Sequence, residues 1–503
     1  MTQFQPFPPQ PGQPTSGLSQ SGAPTLPPAS DQRPDERPVA DLFRLQQAGR
    51  WVVSQTSVWE RRELLLRLYT AVKAQRQQIA TALERDLGKS RAEAETTEIR
   101  QVLDEIRHAR AHLAGWMKPR PVPTPPTLAG VRSEIRAEAL GTVLILAPWN
   151  YPFYLALGPL VPALAAGNGV VLKVSEKAPH TARAIQDLIA SVFPPSLVAV
   201  VQGGPEVATE LLDLPFDHFF FTGGERVGRL VMEAAAKHGV SATLELGGKS
   251  PAILDRSADL KLAARRIAWA KFLNAGQTCV APDYVLLPAE MQEEFVRELG
   301  GALRTMFGGR AWQRVGPDYG RMIDVQAAER MQTLTEASVK AGARLALGGD
   351  FDPPNRFVSP TVLTDVRPDM PVMASEIFGP VLPLLPYVHL DDALSVVQSR
   401  GKPLALYVFA RDKVAVNEVL ARTSSGSTVV NGAVIQLTNP NLPFGGVGAS
   451  GHGSYHGVHG FRTFSHERAV MYEPAHSPVS FILPPYGRPA ARLVSWTLRK
   501  LGS

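Results

Sequence analysis

"GTVLILAPWNYPFYLALGPLVPALAAGNGVVLKVSE", Gly141 to Glu176, sets two short apolar runs, "TVLILA" and "GVVLKV", on either side of an apolar stretch of helical length. Short runs rich in Val, Ile and Leu read as strands buried on both faces. The same alternation continues through "LVAVV", "HFFFT" and "ATLEL", with helix-like segments between them. Buried strands alternating with helices predict a parallel sheet covered on both sides, a doubly wound α/β domain. A second alternating region follows from Pro251, with a helix near Asp259 to Asn274, then "YVLL" and a further helix. Two such domains facing each other across a cleft are the expected architecture. Ligands of these sheets collect at the carboxyl ends of strands, and "PWNYP", "SE", "GGERVG" and "GGK" each come directly after a strand.

Outward from this region the pattern changes. Residues 1–38 are dominated by Pro, Gln, Ser, Gly and Thr, a composition that buries too little apolar surface to offset its ordering entropy, and they read as a disordered leader. Leu64, Leu68, Val72, Ile79 and Leu83 repeat at multiples of three and four, which predicts one amphipathic helix from Trp59 to Leu83. A second helix is expected over Ala92 to Trp116. "PRPVPTPPT" then breaks all helicity, and "VRSEIRAEAL" alternates like a half-exposed strand. From Pro489 to Leu501 a helix would gather Ala490, Leu493, Val494, Leu498 and Leu501 on one side, with Arg492, Arg499 and Lys500 opposite and Trp496 at the boundary. Such a basic amphipathic helix suits either weak contact with an anionic membrane surface or docking on protein.

Composition narrows the function classes. The chain has 503 residues, 44% apolar and 19% charged, enough for a sizeable core in two or three domains. Its net charge of +6 is spread through alternating acidic and basic residues, so nucleic acid is not an expected partner. The longest apolar stretch, from Leu155, is interrupted by two prolines and falls short of the roughly 20 residues that span a bilayer. One cysteine excludes an intrachain disulfide, and the start "MTQFQPFPPQ" has no signal-peptide pattern, so the cytoplasm is the expected compartment.

That cysteine, Cys279, lies in "NAGQTCVAPDY". A lone thiol is commonly an inert buried side chain. Here Asn274, Gln277 and Thr278 are poor core material, and Gly276 suggests a backbone that leaves its helix and exposes the residues after it. A nucleophile also needs a base and an oxyanion donor. Glu245 in "LELGGKSP" is either a partly desolvated general base or a strand-end carboxylate paired with Lys249. Asn150, between two prolines in "APWNYP", is either a rigidly held amide donor or an ordinary turn residue. Glycines in "TGGERVG" would let a phosphate approach the backbone at a helix start, although the spacing is not G-x-G-x-x-G. Lys173 and Glu176 in "KVSE" offer a cation and a carboxylate for ribose hydroxyls, or serve the next helix, whose first turn carries Pro179. Tyr151, Phe153 and Tyr154 suggest an apolar substrate or core packing. No metal site is expected.

Taken in order and spacing, "APWNYPF", "VLKVSE", "FFTGGERVG", "TLELGGKSP", "NAGQTCVAPDY", "SEIFGPVLP" and "LPFGGVGASGHGSYHGVHGFRTFSH" resemble the aldehyde dehydrogenase superfamily, and within it the class 3 branch, over residues 40 to 470. The resemblance implies oxidation of an apolar aliphatic or aromatic aldehyde to the acid with NAD, NADP being the second choice. Cys279 would form the thiohemiacetal and thioester, Asn150 would hold the oxyanion, and Glu245 would activate the hydrolytic water. Trp149, Lys173, Glu176, Gly223, Gly224, Gly228, Glu376 and Phe378 would contact the cofactor. The resemblance also divides the chain into a cofactor-binding domain (39–118 and 141–246), a catalytic domain (247–425), oligomerisation or bridging segments (119–140 and 426–470) that include an extended β arm, and a tail (471–503), and it implies a homodimer. Three departures stand out: Val174 where proline is common, Gly224 where serine is common, and Gly432 where class 3 relatives carry an acidic residue near the substrate entrance. The alternatives are a CoA-acylating relative, which generally lacks the glutamate at the position of Glu245, and a non-catalytic binding protein, in which Cys279, Glu245 or Asn150 would be lost.

Overall fold

The computed structural model describes residues 37–125, 128, 130–308 and 316–475, together with 484, 489, 492, 496, 499 and 500. The expected leader therefore lies outside the described residues except for Arg37 and Pro38. So do Ala490, Leu493, Val494, Leu498 and Leu501, the apolar side expected for the tail helix. Pro489, Arg492, Trp496, Arg499 and Lys500 are helical and exposed, with the Lys500 ammonium 4.5 Å from the centroid of the Trp496 indole.

Strands β1 (Arg120–Val122) and β2 (Arg132–Ala139) precede the core of the first domain. That core is β3 (Thr142–Leu146), β4 (Gly169–Lys173), β5 (Val198–Val201), β6 (His218–Thr222) and β7 (Ser241–Glu245), five parallel strands in the order β7-β6-β3-β4-β5. The chain enters at β3 in the middle, builds outward through β4 and β5, then returns to the other side for β6 and β7. The loops after β3 and β6 consequently diverge, which opens the crevice where doubly wound sheets bind ligands. The crossover helix Tyr154–Ala166 contains Pro159 and Pro162, which forfeit ladder hydrogen bonds. Burial of every residue in that helix offsets the loss.

The second domain contains β8 (Pro251–Leu254), β9 (Tyr284–Pro288), β10 (Arg344–Leu347), a small hairpin of β11 (Phe351–Asp352) and β12 (Phe357–Val358), β13 (Thr361–Thr364), β14 (Val381–Tyr387), β15 (Ala405–Phe409) and β16 (Ser427–Val430). Seven of these form one sheet in the order β10-β13-β14-β9-β8-β15-β16. Two further strands follow, β17 (Gly451–His452) and β18 (Ser465–Tyr472).

The sheets are not wholly parallel. β10 runs antiparallel to β13, and β17 runs antiparallel to β7 at the edge of the first sheet. Both are edge strands, where a returning chain can pair without a helical crossover. Within segment 426–470, β16 completes the second sheet and β17 caps the first, placing Gly451 opposite Glu245. Only β18 joins β1 and β2, in a three-stranded antiparallel sheet in which β2 and β18 pair along eight residues.

The helix expected over Trp59 to Leu83 is two helices, Val58–Ala74 and Arg76–Leu87, separated at Gln75. Periodicity misses the break because the apolar positions stay in phase across it: all five named residues are buried. The Ala92 to Trp116 helix passes through a π-helical turn, Glu95–Ile99, before continuing as Arg100–Trp116. π turns insert an extra residue per turn and re-aim side chains, often at functional sites.

Candidate active site

Asp259 caps the helix Leu260–Phe272, accepting the Leu262 N–H at 3.1 Å. The backbone then turns left-handed at Asn274 (φ 52°), Ala275 (φ 51°) and Gly276 (φ 75°), so the break expected at the glycine begins two residues earlier. Left-handed non-glycine residues cost about 1–2 kcal/mol each and persist only where their surroundings over-determine them. Buried hydrogen bonds do so here. The Asn274 N–H donates to Glu93 Oε1 at 2.9 Å, and Asn274 Nδ2 donates to the carbonyls of Asn150 (2.7 Å) and Gln277 (3.0 Å). Gln277 Nε2 reaches the Asn274 and Arg321 carbonyls, while its Oε1 accepts from Ile323 N–H at 2.8 Å. The expectation that Asn274, Gln277 and Thr278 mark an exposed loop is corrected. All three are buried, and their polar atoms staple the loop from within.

Cys279 itself is half-buried at the meeting point of two cavities of about 270 Å³ each. Leu155, Thr222, Glu245, Leu246 and Cys279 line both. A larger surface groove of about 830 Å³ beside the helix Val325–Lys340 contains none of the candidate residues.

One cavity lies at the sheet crevice. It gathers Trp149, Asn150, Gly223, Gly224, Glu376 and Phe378, all singled out from the sequence, around Glu245 and Cys279. Trp149 and Phe378 meet edge to face with ring centroids 5.4 Å apart. The Asn150 amide donates to the Gln277 carbonyl at 3.1 Å. Three candidates stand apart. Lys173, at the end of β4, pairs with Glu176 at 2.9 Å, and neither residue lines either cavity. The helix after them is capped by Asp86, which accepts the N–H groups of His180 and Thr181, rather than by Ser175 or Glu176. Gly228 faces Leu246 instead, where an added Cβ would lie 2.7 Å from Leu246 Cδ2 and would make the leucine tip shift. Around Gly224, by contrast, a Cβ would meet nothing within 4 Å, leaving open space at the helix N-terminus for a ligand.

The other cavity is apolar. Tyr151, Tyr154, Tyr455, Phe444, Leu404, Val434, Ile435 and Leu437 supply most of its wall, with Trp269 on the outer side. Thr96 and Thr97 enter it from the π turn. Phe153 does not, being wholly buried in the core, so the aromatic cluster divides into two lining residues and one packing residue. A Cβ on Gly432 would lie 3.2 Å from Ile435 Cδ1, so a larger residue there would press on this wall. Thr96, Thr97 and Trp269 escape sequence reasoning, since no motif or period marks them, whereas the 434–438 turn continues the loop that the Gly432 departure puts near the substrate entrance.

Both candidate groups are desolvated. Burial raises the Glu245 carboxyl well above the usual range, and its two oxygens have no hydrogen-bond partner. Its alternative partner is otherwise engaged, because Lys249 pairs with Asp283 at 2.6 Å. Burial, then the Glu376 and Glu245 carboxylates, push the Cys279 thiol up to about 12. Burial and Asp283 hold Glu376 at about 8. Among the described residues no group of three or more His, Cys, Asp or Glu could hold a metal ion.

Residues 38–470 match the aldehyde dehydrogenase family. Over 426 residues the chain is 43% identical to the 4,4'-diaponeurosporen-aldehyde dehydrogenase of Staphylococcus aureus, covering 85% of this chain and 92% of that protein. Over 419 residues it is 44% identical to the mouse (Mus musculus) aldehyde dehydrogenase family 3 member B2, covering 83% and 86%. The solved substrate-bound state of Staphylococcus aureus AldH superposes with a TM-score of 0.87 at 40% identity, over 92% of this chain and all of that one. More distant solved members are complexed with NAD+, and one mouse relative is named as NADP-preferring. The open Gly224 helix start, the aromatic pair and the unpartnered Glu245 oxygens fit a bound dinucleotide cofactor beside the thiol, and the chain belongs to the aldehyde dehydrogenase family, enzymes that use NAD(P).

Proposed function

We propose that the chain oxidises apolar aliphatic or aromatic aldehydes to carboxylic acids through a covalent intermediate on Cys279. The observation that carries this reading is the position of the single thiol, where the apolar cavity meets the crevice cavity and Glu245 lines both. An aldehyde enters along the tyrosine and aliphatic wall with its carbonyl toward Cys279. The sulfur bonds to the carbonyl carbon as the thiol passes its proton, by way of water, to the ionised Glu245 carboxylate, which releases it to solvent, and the oxyanion of the thiohemiacetal is held by the Asn150 amide and the Cys279 N–H. NAD(P)+, when bound, supplies the hydride acceptor and a positively charged ring. Lys173 and Glu176 would hold its adenosine ribose, the Gly223–Gly224 loop its pyrophosphate, and Trp149, Glu376 and Phe378 its nicotinamide side. Glu245, once ionised, is a strong base because no donor stabilises its carboxylate. It takes a proton from water, whose oxygen adds to the thioester carbon; the carbon–sulfur bond breaks, the departing thiolate takes that proton back from Glu245 and the acid leaves.

Glu245 also favours hydrolysis over transfer to CoA. The apolar wall supports an extended hydrophobic substrate, a chemistry shared with the carotenoid aldehyde in the name of the Staphylococcus aureus relative. The protein works in the cytoplasm as a homodimer, with the basic tail resting on a partner subunit or on an anionic membrane surface. The exposed edge strand β18 offers the backbone for the dimer contact. The deciding experiment follows absorbance of reduced nicotinamide with NAD, then NADP, across a panel of aliphatic and aromatic aldehydes. Aldehyde-dependent signal that vanishes in Cys279→Ala is expected, and turnover retained in that variant would overturn the reading.

A further inference from the structure

Behind the Asn150 loop lies a wholly buried charge. Lys89 donates to Glu98 Oε1 at 2.5 Å and to the Asn150 carbonyl at 3.1 Å, and its ammonium sits 3.8 Å from the centroid of the Tyr151 ring. Its three N–H groups thus meet a carboxylate, a carbonyl and a π face. The other oxygen of Glu98 accepts the N–H groups of Phe153 (2.9 Å) and Tyr154 (3.1 Å), where the crossover helix begins. Asn274 Nδ2 is the second donor on the Asn150 carbonyl, at 2.7 Å. The peptide bearing the oxyanion amide is therefore gripped on its carbonyl by two donors and anchored just downstream by a carboxylate.

Stability alone explains such a pair poorly. Desolvating two charges costs several kcal/mol per ion, and apolar residues of equal volume are commonly as good or better. Geometric definition is what the pair adds: a catalytic donor must hold its direction before charge develops on the substrate. Glu98 also belongs to the π turn whose Thr96 and Thr97 line the apolar cavity, so one short element shapes the substrate wall and anchors the amide loop. We propose that Lys89 and Glu98 are positioning residues for the Asn150 amide, setting its direction toward the aldehyde oxygen through the Asn150 carbonyl and the start of the crossover helix. This rests on the oxyanion role given to Asn150 under the proposed function.

The test compares two charge-free pairs in the full chain, each with Asn150 intact and with Asn150→Ala. Lys89→Met/Glu98→Gln removes the donor to the carbonyl without stranding a buried charge; Lys89→Gln/Glu98→Gln puts an amide donor back. Steady-state kcat and KM are read for an aldehyde and NAD, with thermal melting and cofactor fluorescence as checks of folding. The Met pair should lower kcat about 100-fold, the scale of losing one oxyanion donor, with KM for NAD unchanged. The Gln pair should recover to within about tenfold of the parent, and neither pair should lower kcat further once Asn150 is Ala. A folded Met pair with parental kcat overturns the proposal, as does a loss that persists in the Asn150→Ala background or a Gln pair as slow as the Met pair. Should the Met pair fail to fold, the Gln pair decides: any loss it shows must vanish when Asn150 is Ala, and a loss that persists refutes the proposal. Parental kcat in Asn150→Ala alone would instead remove the oxyanion role itself, while Cys279→Ala still tests the covalent reading separately.

Discussion

The two cavities that meet at Cys279 have the same volume but different origins. The crevice cavity is made mainly of residues that directly follow strands: Trp149 and Asn150 after β3, Gly223 and Gly224 after β6, Gly247 after β7. The apolar cavity takes its wall from segments with no such relation, a π turn at 96–97, one face of the crossover helix, the end of the Leu260–Phe272 helix, and the 434–438 turn. Strand ends converge because the sheet is parallel, so any chain of this topology places them together. The apolar wall converges only because two domains and several irregular turns pack together. The lining of the crevice cavity is accordingly tied to the architecture, while that of the apolar cavity can vary with little cost to the fold.

If the two cavities serve separate tasks, substitutions should separate in the same way. Cys279→Ala, at their junction, should cost on the order of 10⁴-fold or more in turnover while leaving NAD binding measurable by fluorescence; parallel loss of both would make the junction a folding determinant instead. Glu245→Gln should slow acyl-enzyme hydrolysis by about 10²- to 10⁴-fold, seen as a burst of reduced nicotinamide followed by a slow steady state. Glu376→Gln, on the crevice side alone, should raise the KM for NAD about tenfold, the scale of one hydrogen bond, with the KM for aldehyde unchanged. Trp269→Ala, on the apolar side alone, should raise the KM for long aldehydes about tenfold and spare short ones. A change in cofactor KM in that variant would break the division.

The smallest effect is on stability. Folding raises the Glu245 pKa, so the folded state holds its proton when the unfolded chain has lost it. Stability from this group is complete below the unfolded carboxyl value, roughly 4.3, and declines as pH rises from there toward the folded value. Glu245→Gln removes the titration, so its melting temperature relative to the parent should climb with pH across that window. A constant difference would mean that Glu245 finds a partner in solution.

Much of the candidate site is legible in the sequence. The thiol, the glutamate, the amide and five of the eight cofactor residues it points to stand around one junction, because each lies at a strand end or in a loop whose spacing is its signal. Its failures have specific causes. Asn274 and Gln277 look exposed because polarity predicts exposure until a buried network supplies partners. Gln75 breaks a helix without disturbing the apolar phase.

Local pattern therefore determined the strands, their carboxyl-end loops and the candidate residues at them, since those depend on short-range periodicity and on topology. Tertiary structure decided the antiparallel edges, the placement of β16 and β17, the apolar wall and the Lys89–Glu98 grip on the Asn150 loop. Lys89 and Glu98 lie nine positions apart and 61 and 55 positions from the groups they hold. A buried charge is tolerable only when its partners arrive from elsewhere in the chain, and sequence periodicity carries no record of that arrival.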